Sequence, residues 1–370
     1  MSLPPLVDPV AALSLRERER TARHAALAGF GELAQRRLAA AHVAVVGAGG
    51  LGSPVILALA AAGVGTLTVI DDDTVDASNL QRQVMHRFSD VGRDKTASAA
   101  RSAADLSPDT VVHEVREHLT AGNAERLLAG AHLVIDGTDT FATRVDVATA
   151  CERLGVPLVW GVLQEFHAQV TVFWSAPPAG IAPVRLADLY PPDSVGELPT
   201  CAAVGVLGAL CLQVGGLMAI EAVKLIAGIG EPLLGRVAVI DALHGTQREV
   251  PLRAAEAAAA GDPSTGSGTG RGSGTGGVRE VTAEEMLAAQ ESGATILDVR
   301  EPWETATGIV GGSTVIPLRD FLADPDQIGD DPVVVVCAHG IRAHQAAAVL
   351  AARGVEASVL AGGLAAWVSA

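Results

Sequence analysis

Cysteine is scarce in this chain of 370 residues, and the scarcity excludes two common ways of stabilising a fold. The cysteines are too few and too scattered for a disulfide framework: Cys151, Cys201, Cys211 and Cys337. No two of them form a CxxC pair, so a structural zinc site of ordinary spacing is not expected. We therefore expect a protein of the reducing cytoplasm, in which each thiol either packs in the core or takes part in a reaction.

Basic residues are scarce as well. The chain has 26 Lys and Arg against 42 Asp and Glu, which gives a formal net charge of −16. A protein that binds nucleic acid through its phosphates needs a concentrated basic face, so nucleic acid is not an expected partner. Charged residues make up only 18% of the chain and apolar residues 49%, which excludes a predominantly disordered protein.

An apolar run at residues 201–220 is long enough to cross a membrane. It contains several glycines, however, and continues into Glu221 and Lys224, which are spaced as neighbours on one helix face. This pattern favours a loop that enters a buried helix, so no membrane association is predicted. The N-terminus has neither a basic region nor a continuous apolar stretch, so we expect no secretory signal.

A Gly/Ser-rich stretch at residues 254–278 is predicted to be a flexible linker between domains at residues 1–253 and 279–370. In both domains, apolar β-runs without alternation are separated by helical segments, which predicts an α/β class with mostly parallel sheets. The predicted strands are His42–Val46, Thr66–Ile70, Leu133–Ile135, Val159–Val162, Gln169–Phe173, Thr295–Val299, Val333–Cys337 and Ala357–Leu360. The predicted helices start after Gly52 and cover residues 143–153 and 343–352.

The segment HVAVVGAGGLG places a GxGxxG pattern between the first predicted strand and a helix. Glycines here permit a tight turn and a close approach of phosphate to backbone N–H groups at the helix N-terminus. Asp71 ends the next strand, where a carboxylate can accept a ribose hydroxyl. The pattern predicts a nucleotide site at Gly47, Gly49, Gly50 and Gly52, and it fits ATP and NAD equally well.

Charged residues that follow successive strands favour ATP. The run Asp71–Asp73 leads to the segment SNLQRQ at residues 78–83, and Lys95 and Asp139 come later in the chain. A dehydrogenase has no evident need for so many charges around its pyrophosphate. An enzyme that transfers AMP needs cations to neutralise the triphosphate and a carboxylate to hold Mg²⁺.

These segments resemble the MoeB/ThiF family of bacterial ubiquitin-activating-type adenylyltransferases. The resemblance runs from Arg23 through GAGGLG, SNLQRQ, DGTD and CAAVGVLG to GRVAVID. It implies a Rossmann-like fold and the ATP- and Mg²⁺-dependent adenylation of the C-terminal Gly-Gly of a small ubiquitin-fold sulfur-carrier protein. It also implies that Asp139 holds Mg²⁺ and is essential, and that Arg23 reaches the ATP of a partner subunit, hence a homodimer.

Within the same resemblance, Gly50 and Asp71 would contact the nucleotide, while Asn79, Arg82 and Lys95 would contact its phosphates. The full expected ATP-binding set is Gly47, Gly49, Gly50, Gly52, Asp71, Asp73, Ser78, Asn79, Leu80, Gln81, Arg82, Lys95, Asp139 and Thr140. Thr140 stands where the family usually has Asn. The two CxxC zinc pairs of the family are absent, which points to a zinc-free subgroup with a fused second domain, the MoeZ type.

Cys201 and Cys337 are the two candidate reagents. In the family, a cysteine at the position of Cys201 lies on a crossover loop and can form a thioester or an acyl disulfide with the carrier. The alternative is a small buried apolar residue, as expected for Cys151 and Cys211. Cys337 follows an apolar strand and opens the segment CAHGIR before a helix, where backbone N–H groups and the charge of Arg342 favour a thiolate or an anionic persulfide.

The segment around Cys337 resembles the active-site loop of the rhodanese family, as do DVREPWE at residues 298–304 and the closing GGLAAW. The resemblance implies a small α/β sulfurtransferase domain that carries a persulfide on Cys337, with Arg342 beside it. Ala343 stands where the loop commonly has Ser, and an inactive rhodanese is the alternative.

The two domains together predict a bifunctional adenylyltransferase and sulfurtransferase that gives the carrier a C-terminal thiocarboxylate. The product would serve molybdopterin, thiamin, cysteine or secondary-metabolite synthesis, with thiosulfate or a cysteine desulfurase as sulfur donor. Two alternatives stay open: a nicotinamide-dependent oxidoreductase with an appended rhodanese fold, and a non-enzymatic adaptor for ubiquitin-like proteins.

Overall fold

The computed structural model describes residues 3–190, 205–252, 278–300, 305, 309–329, 331–337 and 340–364. The chain divides into two compact units, Met1–Ala258 and Ala259–Ala370. The predicted linker at residues 254–278 lies, except for its last residue, outside the described residues.

The first unit is built on an eight-stranded sheet of order β3-β2-β1-β4-β5-β6-β7-β8. Its first five strands in that order are parallel, and β6, β7 and β8 continue the sheet antiparallel. The strands are β1 (His42–Val46), β2 (Thr66–Ile70), β3 (Val111–Val115), β4 (Leu133–Asp136), β5 (Leu158–Gln164), β6 (His167–Phe173), β7 (Arg236–Asp241) and β8 (Thr246–Pro251). The predicted α/β class with a mostly parallel sheet is confirmed.

Helices cover both faces of this sheet, because successive residues of the buried strands point to opposite faces and are apolar on both. Val43 and Val45 of β1 join one buried cluster, while Ala44 and Val46 join the cluster on the other face. The helices are α1 (Leu15–Arg20), α2 (Ala22–Ala25), α3 (Gly31–Ala40), α4 (Gly52–Ala62), α5 (Lys95–Leu106), α6 (Ala124–Leu128), α7 (Phe141–Leu154), α8 (Leu186–Leu189) and α9 (Gly208–Ala227).

Of the helices in the described residues, α9 alone is long and apolar enough to cross a membrane. More than half of its most apolar window, 56%, is buried inside the protein. It packs against α3, α4, β5 and β6, and Leu210, Val214 and Met218 belong to the core. The apolar run is therefore explained by a buried core helix, as the glycines and the Glu221–Lys224 spacing predict.

The second unit has a five-stranded sheet of order β11-β10-β12-β13-β9, and every pair in it is parallel. Its strands are β9 (Arg279–Val281), β10 (Thr295–Asp298), β11 (Thr314–Val315), β12 (Val333–Val336) and β13 (Ala357–Leu360). Its helices are α10 (Ala283–Glu291), α11 (Leu318–Ala323) and α12 (Ile341–Ala352). The predicted strands that end at Val299 and Cys337 each stop one residue earlier, so Cys337 belongs to the loop that follows β12.

Candidate functional site

The glycine-rich turn connects β1 to α4, and its backbone leaves no room for a side chain at two of its glycines. Gly47 has φ +87°, and a Cβ atom there would lie 2.9 Å from the carbonyl oxygen of Gly137. A Cβ atom on Gly52 would lie 1.8 Å from the carbonyl oxygen of Gly47. The turn therefore closes only with glycine at these two positions.

We expect Gly52→Ala to weaken ATP binding by at least about tenfold and to lower stability, because its methyl group would force the turn open. Gly216→Ala is the matched control. Gly216 lies inside α9, where a Cβ atom meets nothing within 4 Å, so alanine should stabilise the helix by about 0.5–1 kcal/mol. Calorimetric ATP titration and urea denaturation measure both effects. Wild-type ATP affinity in Gly52→Ala would contradict this account of the turn.

The turn forms one wall of a cavity of about 370 Å³. The cavity lies beyond the carboxyl ends of β1, β2 and β4, since Val46, Ile70 and Gly137 line it. In the sheet, β1 lies between β2 and β4, so the strand order changes direction next to β1. Parallel α/β sheets bind ligands at this switch point, where helices leave in opposite directions.

Nine residues of the predicted ATP-binding set line this cavity: Gly47, Gly49, Gly50, Asp71, Asp73, Arg82, Lys95, Asp139 and Thr140. Residues that were not assigned to the site from the sequence line it as well: Glu117, His118, Leu119, Thr143, Arg144 and Cys211. The fold thus brings together residues from loops and helix starts that are far apart in the sequence. Their roles toward ATP stay predictions.

Asp71 is tied to the glycine turn. Its Oδ2 accepts a hydrogen bond from the backbone N–H of Ala48 at 2.7 Å, and its Oδ1 accepts one from the N–H of Asp73 at 2.9 Å. Burial raises the pKa of Asp71, and the nearby Lys95 ammonium opposes that shift. Because a carboxylate has about four lone-pair sites, the side chain keeps acceptor capacity for a ribose hydroxyl.

Lys95 is the first residue of α5, and its side chain is buried. Its Nζ donates to Oδ2 of Asp73 at 2.7 Å. An ammonium group has three donors, so this ion pair leaves Lys95 able to contact a phosphate in the cavity. Arg82 passes over the glycine turn, with its Cγ 3.6 Å from the position of a Cβ atom on Gly50.

Asp139 lies on the exposed loop between β4 and α7, and buried residues hold that loop. The Oδ1 atom of Asp136 accepts from the N–H of Thr138 at 2.9 Å and from its hydroxyl at 2.6 Å. Arg144 donates from Nη2 to the carbonyl oxygen of Thr138 at 2.8 Å. Burial raises the pKa of Asp136, and Arg144 opposes the shift. Thr140 caps the N-terminus of α7, and its hydroxyl accepts from the N–H of Thr143 at 3.3 Å.

Other predicted residues are not among the described residues that line the cavity. Ser78 and Asn79 belong to a 3-10 turn, where the N–H of Ser78 donates to Asp76 and the Asn79 side chain accepts from the N–H of Asp76. Leu80 and Gln81 follow this turn. Arg23 is exposed on α2.

The four cysteines fall into three groups. Cys201, the candidate for covalent catalysis, lies outside the described residues. Cys151 and Cys211 are buried, as predicted. Burial raises the pKa of the Cys151 thiol, which disfavours its reactive thiolate. Cys337 forms the second candidate site, in the other unit.

Cys337 follows β12 directly and precedes α12. Its Sγ accepts a hydrogen bond from the N–H of Gly340 at 3.1 Å. Gly340 has φ +88°, so the loop needs glycine to turn back on the sulfur. Arg342 lies in the first turn of α12. A backbone donor aimed at the sulfur and a helix N-terminus are features that stabilise an anionic persulfide.

A buried ion pair lies next to this site in the sheet. Asp298 ends β10 in register with Val336, the residue before Cys337. Arg300 donates from Nη2 to Oδ2 of Asp298 at 2.7 Å and from Nε to Oδ1 at 3.0 Å. The predicted segment continues at residues 301–304, which lie outside the described residues, as does Trp367 of the closing GGLAAW.

Comparisons with known proteins match both units. The ThiF family matches residues 21–260, and the rhodanese-like domain matches residues 282–370. The chain is 41% identical to the probable adenylyltransferase/sulfurtransferase MoeZ of Mycobacterium tuberculosis, over 99% of this chain and 96% of that protein. It is 42% identical to the sulfur carrier protein adenylyltransferase of Thermus thermophilus, over 64% of this chain and 88% of that protein.

Among solved structures, the fold is similar to Escherichia coli MccB in complex with MccA-N7isoASN. The TM-score is 0.56 at 21% identity, over 65% of this chain and 72% of that chain. At this level of identity the likeness supports the fold of the first unit and not a shared substrate.

Proposed function

This chain belongs to the ThiF family and carries a rhodanese-like domain, and from this membership we propose that it activates a sulfur-carrier protein and then transfers sulfur to it. One observation carries the proposal: Asp71, Arg82, Lys95 and Asp139 converge on one cavity of a chain that also holds the Cys337 loop. The first unit is an adenylyltransferase and the second a sulfurtransferase.

In the first reaction, the carboxylate of a carrier ending in Gly-Gly attacks the α-phosphorus of ATP, and pyrophosphate leaves. The backbone N–H groups of the glycine turn and the start of α4 would bind the phosphates. Arg82 and Lys95 would neutralise charge that shifts to the leaving pyrophosphate. Asp71 would accept a ribose hydroxyl while it keeps its two backbone donors.

Asp139 suits Mg²⁺, because its carboxylate is exposed at the cavity and oxygen is the ligand that Mg²⁺ prefers. When bound, the ion would neutralise phosphate charge. The buried contacts of Asp136 and Arg144 would hold the Asp139 loop in place. No zinc is needed for this chemistry.

In the second reaction, a persulfide on Cys337 attacks the acyl carbon of the carrier adenylate. AMP leaves, and the product is an acyl disulfide between the carrier and Cys337. A thiol, either Cys201 or a small thiol reductant, then attacks the Cys337 sulfur. The carrier leaves as a thiocarboxylate, and the attacking thiol ends in a disulfide with Cys337.

Several finer features belong to the same proposal. Arg23 would act on the ATP of a partner subunit in a cytoplasmic homodimer, since it is exposed on α2 and outside the described lining of its own cavity. Thiosulfate or a cysteine-desulfurase persulfide would load Cys337. The thiocarboxylate would serve molybdopterin, thiamin, cysteine or secondary-metabolite synthesis.

Exchange of labelled pyrophosphate into ATP tests the first reaction. We expect exchange that requires Mg²⁺ and a ubiquitin-fold protein ending in Gly-Gly, and that stops when the final glycine is removed. A nicotinamide-dependent oxidoreductase would show no such exchange and would bind NAD. Absence of exchange with a panel of carrier proteins, together with NAD binding, would overturn the proposal.

A further inference from the structure

His86 is a buried residue that contacts the glycine turn from behind. It is 6% exposed, and its Nε2 lies 3.0 Å from the carbonyl oxygen of Ala48. Ala48 stands between Gly47 and Gly49, and its N–H donates to Asp71. The peptide groups on both sides of Ala48 are therefore fixed, one by its hydrogen bond to Asp71 and the other by its hydrogen bond to His86.

The hydrogen bonds determine which nitrogen of His86 carries a proton. A carbonyl oxygen only accepts, so Nε2 must donate to Ala48. The other nitrogen, Nδ1, lies 2.9 Å from the hydroxyl oxygen of Ser98, whose single proton goes either to Nδ1 or to the Asp90 carboxylate. Burial lowers the pKa of His86, which favours a neutral ring that accepts this proton in a hydrogen bond.

Ser98 connects His86 to the helix that supplies Lys95. It lies on α5 one turn after Lys95, and its hydroxyl oxygen is also 2.9 Å from Oδ2 of Asp90. Arg101 on the next turn forms an ion pair with Asp90, whose pKa it holds well below the usual range. A buried polar network thus fixes the start of α5 against the segment that contains His86.

Three groups that are expected to contact the phosphates lie next to this junction. The glycine turn is bonded to His86 through Ala48, α5 with Lys95 is bonded to it through Ser98, and Arg82 precedes it by four residues. His86 lies outside the described lining of the cavity, so it acts through its neighbours.

We propose that His86 is a positioning residue that sets the glycine turn and Lys95 at the spacing required to bind the same triphosphate. This inference deepens the proposed function and rests on it, because it assumes that the cavity binds ATP. Loss of the imidazole would leave the carbonyl oxygen of Ala48 without its donor and free the turn to move relative to α5.

The test compares His86→Leu, His86→Gln and Ser98→Ala in the full chain, by calorimetric ATP titration and by the KM for ATP and kcat of pyrophosphate exchange. His86→Leu should weaken ATP binding and raise KM by about tenfold, since a buried acceptor loses its donor. His86→Gln, whose amide N–H₂ can replace Nε2, should recover most of the affinity. Ser98→Ala should give a smaller loss in the same direction.

His42→Leu is the matched control. In the wild-type protein, the ring nitrogens of His42 lie 2.8 Å from the Thr68 hydroxyl and 3.0 Å from the carbonyl oxygen of Gly130. His42 is the first residue of β1, at the end of the strand away from the cavity. It should lower thermal stability and leave ATP affinity unchanged. Unchanged ATP affinity in both His86→Leu and Ser98→Ala, or no recovery in a folded His86→Gln, would overturn the inference. Absence of ATP binding and exchange in the wild-type protein would instead overturn the proposed function.

Discussion

Replacing Asp139 by Asn should lower carrier-dependent pyrophosphate exchange by about a thousandfold, because the change removes the charge expected to hold Mg²⁺ at the reacting phosphates. Asn keeps the size of the side chain and one oxygen acceptor. ATP affinity should therefore fall much less than the exchange rate. Exchange kinetics at saturating ATP and Mg²⁺, with calorimetric ATP titration, separate the two effects.

Asp146→Asn is the control for this variant. Asp146 lies on α7, the helix that follows the Asp139 loop, and outside the described lining of the cavity. The substitution changes the net charge by the same amount and should leave exchange at the wild-type rate. Equal loss of activity in both variants, or wild-type exchange in Asp139→Asn, would show that the Asp139 carboxylate has no specific role.

Replacing Cys337 by Ser should abolish formation of the carrier thiocarboxylate and leave pyrophosphate exchange at the wild-type rate. A serine hydroxyl cannot carry a persulfide, whereas adenylation depends on residues of the other unit. The carrier should then be converted only to its adenylate. Exchange kinetics and intact-mass analysis of the carrier measure the two reactions in the same sample.

Cys151→Ala controls for the loss of a thiol. Cys151 is buried, and burial raises its pKa, so its removal should affect neither reaction. Thiocarboxylate formation by a folded Cys337→Ser variant at the wild-type rate would exclude Cys337 as the sulfur carrier. Loss of exchange in that variant would contradict the independence of the two reactions.

Most of the buried strands could be predicted from the sequence, although β7 was not, and the exposed strands could not be predicted. The bounds of β1 and β2 agree with the prediction, because each is a short buried run rich in β-branched and apolar residues that ends next to a glycine or an aspartate. By contrast, β3 and β8 were not predicted. Every residue of β8 is exposed, and β3 is exposed or half-buried throughout, so neither strand has the apolar pattern of a core strand.

The candidate site divides in the same way. The glycine turn and Asp71 were predicted from a local pattern of strand, turn and helix start, and Lys95 from the family resemblance; all of them line the cavity. The structural roles of His86, Asp136 and Arg144 were not predicted. Their roles depend on contacts made in the folded chain, such as the bond between His86 and Ala48, 38 residues apart in sequence. The one local signal was the acidic Asp136 at the end of an apolar strand, where a buried carboxylate requires partners.

The most direct test of the central claim is the intact mass of a carrier protein ending in Gly-Gly, after incubation with the full chain, ATP, Mg²⁺, a sulfur donor and a thiol reductant. The proposed coupling of adenylation to sulfur transfer predicts that one oxygen of the carrier is replaced by one sulfur. The replacement should require both Asp139 and Cys337. An unchanged carrier mass, under conditions in which the same carrier supports pyrophosphate exchange, would contradict the coupling.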